Sequence, residues 1–158
     1  MTKDRLDPFD RKILATLQQR GDLGPSELSL VVNLSPSQCS RRLQRLKDEK
    51  YIERTVALLN PKRLNLGVSA YVSVKLRSHG PENERRFRER MAQLSEVTSC
   101  ESLTGEADFM LRVSTRDLAS YNEFLSMKLR AAPEIDTARS SIILEDIKST
   151  TALSLDFC

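Results

Sequence analysis

The chain is poor in the residues that bind metals or build covalent frameworks. Of its 158 residues only His79 is a histidine, and the three cysteines, Cys39, Cys100 and Cys158, are far apart and odd in number. That spacing holds no C-x-x-C and no histidine pair, so neither a disulfide scaffold nor a zinc site is expected, and a reducing compartment is. No apolar run approaches the roughly 20 residues that span a bilayer. Met1-Thr2-Lys3-Asp4-Arg5 leads into no apolar stretch, so no secretory signal is expected either, and the protein is placed in the cytoplasm. With 39% hydrophobic and 30% charged residues the composition is that of an ordinary globular protein.

Positive charge is concentrated at the front. Residues 1–63 hold 13 Lys and Arg against 8 Asp and Glu, while the rest hold 12 against 14. Such an imbalance suggests a polyanion-binding module joined to a second unit.

Three helices are predicted in the basic part. Asp7-Pro8 reads as a cap followed by proline at the first helical position, and Phe9, Ile13, Leu14 and Leu17 form one apolar face up to Gly21. Gly24-Pro25 opens a second helix with Leu28, Val31 and Val32 buried, ended by Asn33 in a left-handed turn. The third helix, Pro36 to Asp48, carries the strongest local signal. Ser35 and Gln38 form a capping box, Leu34 and Cys39 a hydrophobic staple, and Cys39, Leu43 and Leu46 a buried edge. Gln38, Arg41, Arg42 and Arg45 are expected to point outward, with Lys47 adding charge. Tyr51–Leu59 is β-prone and is predicted to form a strand or wing.

From Val68 the period changes to two. Val68, Ala70, Val72, Val74 and Leu76 alternate with polar residues as a half-buried strand. A helix after Gly80-Pro81 uses Phe87, Met91 and Leu94. Strands Val97–Thr104 and Ala107–Ser114 are expected to meet at a tight turn at Gly105-Glu106. Asp117 caps a helix bearing Leu118, Tyr121, Leu125 and Leu129, and a last strand runs from about Thr137 to Ile147. The fold class is therefore α+β: an N-terminal winged helix-turn-helix and a C-terminal βαββαβ ferredoxin-like unit. The expected divisions are 1–60 for DNA binding, 61–66 as linker, 67–149 as the second unit, and 150–158 as a tail.

A helix-turn-helix puts one face of its last helix on its partners and the other in the major groove. Arginine suits that face because its fork bonds guanine O6 and N7, and Gln38 matches adenine. The DNA-binding set is then Ser35, Ser37, Gln38, Arg41, Arg42 and Arg45, with Lys50 and Arg54 placed to touch phosphate. Cys39 reads as a packed apolar group and His79 as part of a solvated turn.

Leu6-Asp7-x-x-Asp10-x-x-Ile13-Leu14, Leu34-Ser35-Pro36-Ser37-x-Cys39, Arg42-Leu43-x-x-Leu46, Tyr51-Ile52, Ala57-Leu58-Leu59-Asn60-Pro61 and Thr104-Gly105-x-x-Asp108 together resemble the Lrp/AsnC, or feast/famine, regulators of bacteria and archaea. The resemblance covers nearly the whole chain; one departure is Asn33, where many relatives have glycine. It implies a RAM/ACT-like second unit through which subunits pair and assemble further, commonly to octamers. It also implies a small effector, usually an amino acid, bound between subunits by residues matching Leu103, Thr104, Gly105 and Asp108 with Ser140, Ser141 and Ile142 across the pocket. Turn architecture is an equal reading of Gly105 and Asp108. The expected partners are double-stranded DNA, the effector and further copies of the chain, in the nucleoid; no cofactor, metal, membrane or catalytic activity is expected. Two other readings stay open: an effector-independent architectural DNA-binding protein, and an enzyme of the siroheme decarboxylase type, whose architecture is related.

Overall fold

Each of the first three helices starts where a side chain satisfies its free N–H groups. The computed structural model describes residues 6–157, so the expectations placed on Met1–Arg5 and on Cys158 lie outside the described residues. Helix α1 (Pro8–Gln19) is opened by Asp7, which accepts from the Asp10 N–H at 2.8 Å while Asp10 accepts from the Asp7 N–H at 3.2 Å. Glu27 reaches back to the Gly24 N–H at the start of α2 (Pro25–Val32), and Asn33 ends that helix at φ +58°. Helix α3 (Pro36–Asp48) has the reciprocal Ser35–Gln38 box expected of it. Leu6, Ile13, Leu14, Leu23, Leu28, Val32, Cys39 and Leu46 form the core that these helices share.

Two side chains depart from expectation. Val31 is exposed, because Leu28 and Val32, one turn apart, already fill the inward edge of α2. Phe9 is also largely exposed and lies under the Arg42 guanidinium at 5.5 Å.

Tyr51–Leu59 is not a strand. Ile52 donates to the Leu46 carbonyl at 3.1 Å and packs on the helical core. Beyond it no backbone–backbone bond is made by Glu53–Leu59 among the described residues. A β-prone segment becomes a strand only beside a second strand; here Val56, Leu58 and Leu59 are exposed and outside any regular element. Asn60 then caps a short 3-10 helix, Pro61–Leu64, in the stretch expected to be a plain linker.

The chain separates into two compact units, Met1–Leu58 with Lys148–Cys158 and Leu59–Ile147. The returning end is held within the first unit by the Gln18 side chain, which bonds both the Leu153 N–H (2.6 Å) and carbonyl (3.1 Å), and by Leu155 against the helical core.

The second unit is a four-stranded antiparallel sheet ordered β2-β3-β1-β4, with β1 Val68–Leu76, β2 Val97–Ser102, β3 Phe109–Thr115 and β4 Ile135–Ile142. One face packs on α4 (Pro81–Gln93) and on α5 (Leu118–Glu123), which continues as a π-helical segment, Phe124–Leu129. Val72, Val74, Leu111, Val113, Phe87, Phe124 and Leu129 are its largest fully buried members. Of the apolar residues named on this helix, Leu118 is exposed at the start of α5, while Phe124 is buried.

Three boundaries shift for identifiable reasons. Strand β4 ends at Ile142, opposite Ala70, because β1 offers it no partner beyond the Ser69 carbonyl that takes the Ile143 N–H. Strand β2 ends at Ser102 and β3 begins at Phe109, so residues 103–108 form a wide turn instead of a tight one. Asp108 holds it open by bonding β1: its N–H donates to the Val74 carbonyl (2.9 Å) and its carboxylate accepts the Leu76 N–H (2.7 Å).

Glu134, 2% exposed, is the buried acid of this unit and bonds Arg90 of α4 at 2.5 Å. Burial is the largest single influence and pushes its carboxyl up, but the Arg90 hydrogen bond, a backbone hydrogen bond and the charges of Arg90 and Arg86 together exceed it, and the net shift is downward from the ordinary 4.5. A carboxyl lowered by folding stabilises the native state above its unfolded value and loses that contribution as pH falls through the folded one. Thermal stability should therefore drop as pH is lowered below 4.5, and Glu134→Gln should flatten that part of the profile. An unaltered acid limb in the variant would assign the dependence to other groups.

Candidate nucleic-acid interface and ligand turn

Helix α3 turns three kinds of surface in three directions. Cys39 and Leu46 are fully buried, with Leu43 packed beside them. Burial pushes the Cys39 thiol up, away from the reactive thiolate, in keeping with a packing role. Opposite this edge, Ser37, Ser40, Arg41, Gln44 and Asp48 are exposed, and together with Arg45 and Glu49 they line a shallow concavity of about 790 Å³.

Arg42 belongs to neither surface, which corrects the expectation that it points outward. Its Nη1 bonds Asp7 at 2.6 Å and Asp10 at 2.7 Å, and its side chain is only 21% exposed. Arg45 gives Nη2 to the other oxygen of Asp10. Asp10 itself is wholly buried. A buried carboxylate is tolerated when it is paired and fully hydrogen-bonded, and it draws the nearest guanidinium groups to itself. The Asp10 and Asp7 carboxylates raise the Arg42 pKa above its ordinary value. On the Asp7 carboxyl, burial acts upward but the Asp10 N–H and Arg42 prevail, and the shift is downward.

This pairing changes the charge that the helix can present. Two of its four cations, Arg42 and Arg45, are compensated by α1, while Arg41 and Lys47 make no ion pair among the described residues. Gln38 is also engaged, its Oε1 accepting from the Ser35 N–H at 3.0 Å, and Ser35 and Ser37 share a hydroxyl contact at 3.1 Å. Lys50 and Arg54 are exposed beyond the helix, Lys50 at φ +62° where the chain leaves α3. The sequence reading missed Asp10 as the organiser, although an acid three residues after a capping acid was a visible signal. It also missed Ser40 and Gln44, which a projection down the helix at 100° per residue puts on the outward side.

In the second unit, Gly105 stands at φ +133° with open space where a Cβ would project. Its backbone angle, and no close neighbour, is what favours glycine. Leu103, Thr104 and Gly105 are exposed, and the Leu103 N–H donates to the Asp108 carbonyl at 2.8 Å. With its Oδ2 on Leu76, Asp108 shapes the turn; Oδ1 lies 3.7 Å from His79 Nδ1. Ser140, Ser141 and Ile142 are exposed on β4 opposite Val72, Tyr71 and Ala70, towards the start of β1. The turn abuts the other end of β1, at Val74 and Leu76, with β1 itself in between. Within one chain the two groups therefore lie on opposite sides of β1.

Residues 6–53 match the model of a winged helix-turn-helix DNA-binding domain and residues 69–153 that of the Lrp/AsnC ligand binding domain. The DNA-binding transcriptional activator DecR of Escherichia coli K12 is 36% identical over 96% of this chain and 99% of its own. A Bkd operon transcriptional regulator from Pseudomonas aeruginosa is 37% identical over 93% of this chain and 96% of its own. Among solved structures, a transcriptional regulator of Neisseria meningitidis in complex with L-methionine superposes with a TM-score of 0.93, at 38% identity and over 96% of this chain and 98% of that one.

Removing Asp10 would leave two partly buried guanidinium groups without their partner. Asp10→Ala should cost about 2–3 kcal/mol of stability, below the figure for a fully buried pair because the arginine ends keep some water. Arg42→Ala should lower stability too, with a coupling energy to Asp10 in a double-mutant cycle of thermal unfolding. Additive effects of the two changes would remove the case for this pairing.

Proposed function

Because this chain belongs to the Lrp/AsnC family of DNA-binding transcriptional regulators, we propose that it reads a specific operator with the outward stripe of α3 and answers to an amino acid held at the 103–108 turn. The observation that carries the DNA part is the division of α3 into a buried edge, an arginine-to-aspartate anchor and an exposed stripe bearing Arg41, which makes no ion pair among the described residues. Arg41 is the guanine-reading candidate, Ser37 stands beside it at the capped end, and Lys50 and Arg54 serve phosphate. Ser35 and Gln38 act mainly by fixing where the helix begins, and Arg42 and Arg45 by fixing how it lies on α1.

The effector reading rests on three observations of different kinds. Leu103, Thr104 and Gly105 form an exposed turn, and Asp108 keeps one carboxylate oxygen off the backbone. The Neisseria relative was solved with L-methionine. Finally, Ser140, Ser141 and Ile142 lie across β1 from the turn, an arrangement that favours a pocket completed by a second copy of the chain. Self-association is also favoured by the exposed apolar residues Val56, Leu58 and Leu59, whose backbone makes no backbone–backbone bond among the described residues. We infer a two-fold symmetric dimer as the working unit, assembling further up to an octamer, and a pseudo-palindromic operator. Among the described residues no helix is long and apolar enough to cross a membrane. DNA as the partner puts the protein in the cytoplasm, at the nucleoid, and no catalytic step forms part of this reading.

Two measurements test it. Arg41→Ala should weaken operator binding by about 1–3 kcal/mol and relax base preference, whereas Lys50→Ala or Arg54→Ala should lower the salt slope by about one unit with preference kept. A thermal-shift screen of the twenty amino acids should show one or a few raising the unfolding temperature, since a ligand that binds only the folded state stabilises it. A flat screen, with equal affinity for operator and random DNA, would replace this reading with an effector-independent architectural protein.

A further inference from the structure

We propose that Gln44 is a second base-reading residue of α3 and that Asp48 restricts it to adenine; the inference rests on the DNA-reading role of this helix. Ser37, Arg41, Gln44 and Asp48 follow one another at intervals of four, three and four residues, which aligns them along the side opposite Cys39, Leu43 and Leu46. All four are exposed and line the same concavity. With Arg42 and Arg45 drawn to Asp10, this stripe is what the helix offers to a groove.

Within it, Gln44 Nε2 donates to Asp48 Oδ1 at 2.8 Å. A carboxylate accepts and does not donate, so the amino side of the amide must be the side that faces Asp48, and the orientation of the amide follows from chemistry. An amide nitrogen carries two hydrogens. Asp48 takes one, which leaves Gln44 with one N–H and the Oε1 acceptor. That pair complements adenine in the major groove, where N7 accepts and the N6 amino group donates. Guanine presents two acceptors, O6 and N7, and would need two donors where Gln44 has one left. Asp48 thus acts as a positioning residue: it touches no base in this account, but it withholds the hydrogen that guanine would require.

Selection from a pool of random duplexes, run with the full-length wild type, Gln44→Ala, Asp48→Ala and Arg41→Ala, tests the proposal, with thermal unfolding measured for each. The wild type should enrich a half-site in which adenine is preferred at one position by about tenfold, the lower end expected of a bidentate amide contact. Gln44→Ala should lose the preference there and nowhere else. Asp48→Ala should still bind and admit guanine at that same position. If both variants keep the wild-type motif and only unfold at lower temperature, the Gln44–Asp48 bond is a helix-surface pair and the proposal fails. If Arg41→Ala changes the motif while Gln44→Ala does not, α3 reads DNA without Gln44 and this inference alone falls. A wild type that enriches no motif overturns the sequence-specific reading of the whole helix, and this inference with it.

Discussion

A single buried carboxylate organises the DNA-facing half of this protein. Asp10 closes the capping box of α1 by accepting the Asp7 N–H, and with its two oxygens it also receives Arg42 and Arg45 of α3. Each of these bonds compensates a charge taken from water, and together they fix the rotation of α3 about its own axis. A helix held only by Cys39, Leu43 and Leu46 would have a slippery apolar contact. The two guanidinium groups give it a directional one, and direction is what presentation of Ser37, Arg41 and Gln44 requires.

The second unit solves a related problem with its own acids. Asp108 ties the 103–108 turn to the end of β1 through two backbone groups, and Glu134 ties the entry of β4 to α4 through Arg90. Asp108 gives a backbone N–H at the end of β1 its partner, while the Glu134 carboxylate pairs with the Arg90 guanidinium at the start of β4. The turn is therefore preorganised in shape while Thr104 and Gly105 stay exposed.

Much of this was legible from residue order. The caps at Asp7, Ser35 and Asp117, the apolar periods of α1 and α3, and the alternation in β1 are local signals, and the elements they predict are present over nearly the predicted spans. The misreadings share a cause. Tyr51–Leu59 has the composition of a strand, but pairing depends on a partner that local sequence does not name. The turn at Gly105 is wider than its glycine suggests because Asp108 bonds β1, 32 residues away in sequence. Arg42 looks like a surface cation until Asp10, also 32 residues distant, is placed beside it.

The sequence by itself determined the elements, the α+β class, the basic third helix and the family to which the chain belongs, because capping, periodicity and motif spacing are encoded within a few turns of chain. Tertiary structure decided which of the basic residues are available. A guanidinium reaches far enough to choose between groove and carboxylate, and only the packing of α1 against α3 sets which of them is near. It likewise decided that the 103–108 turn and Ser140–Ile142 lie on opposite sides of β1, since strand order and register are relations between segments and not a property of either one.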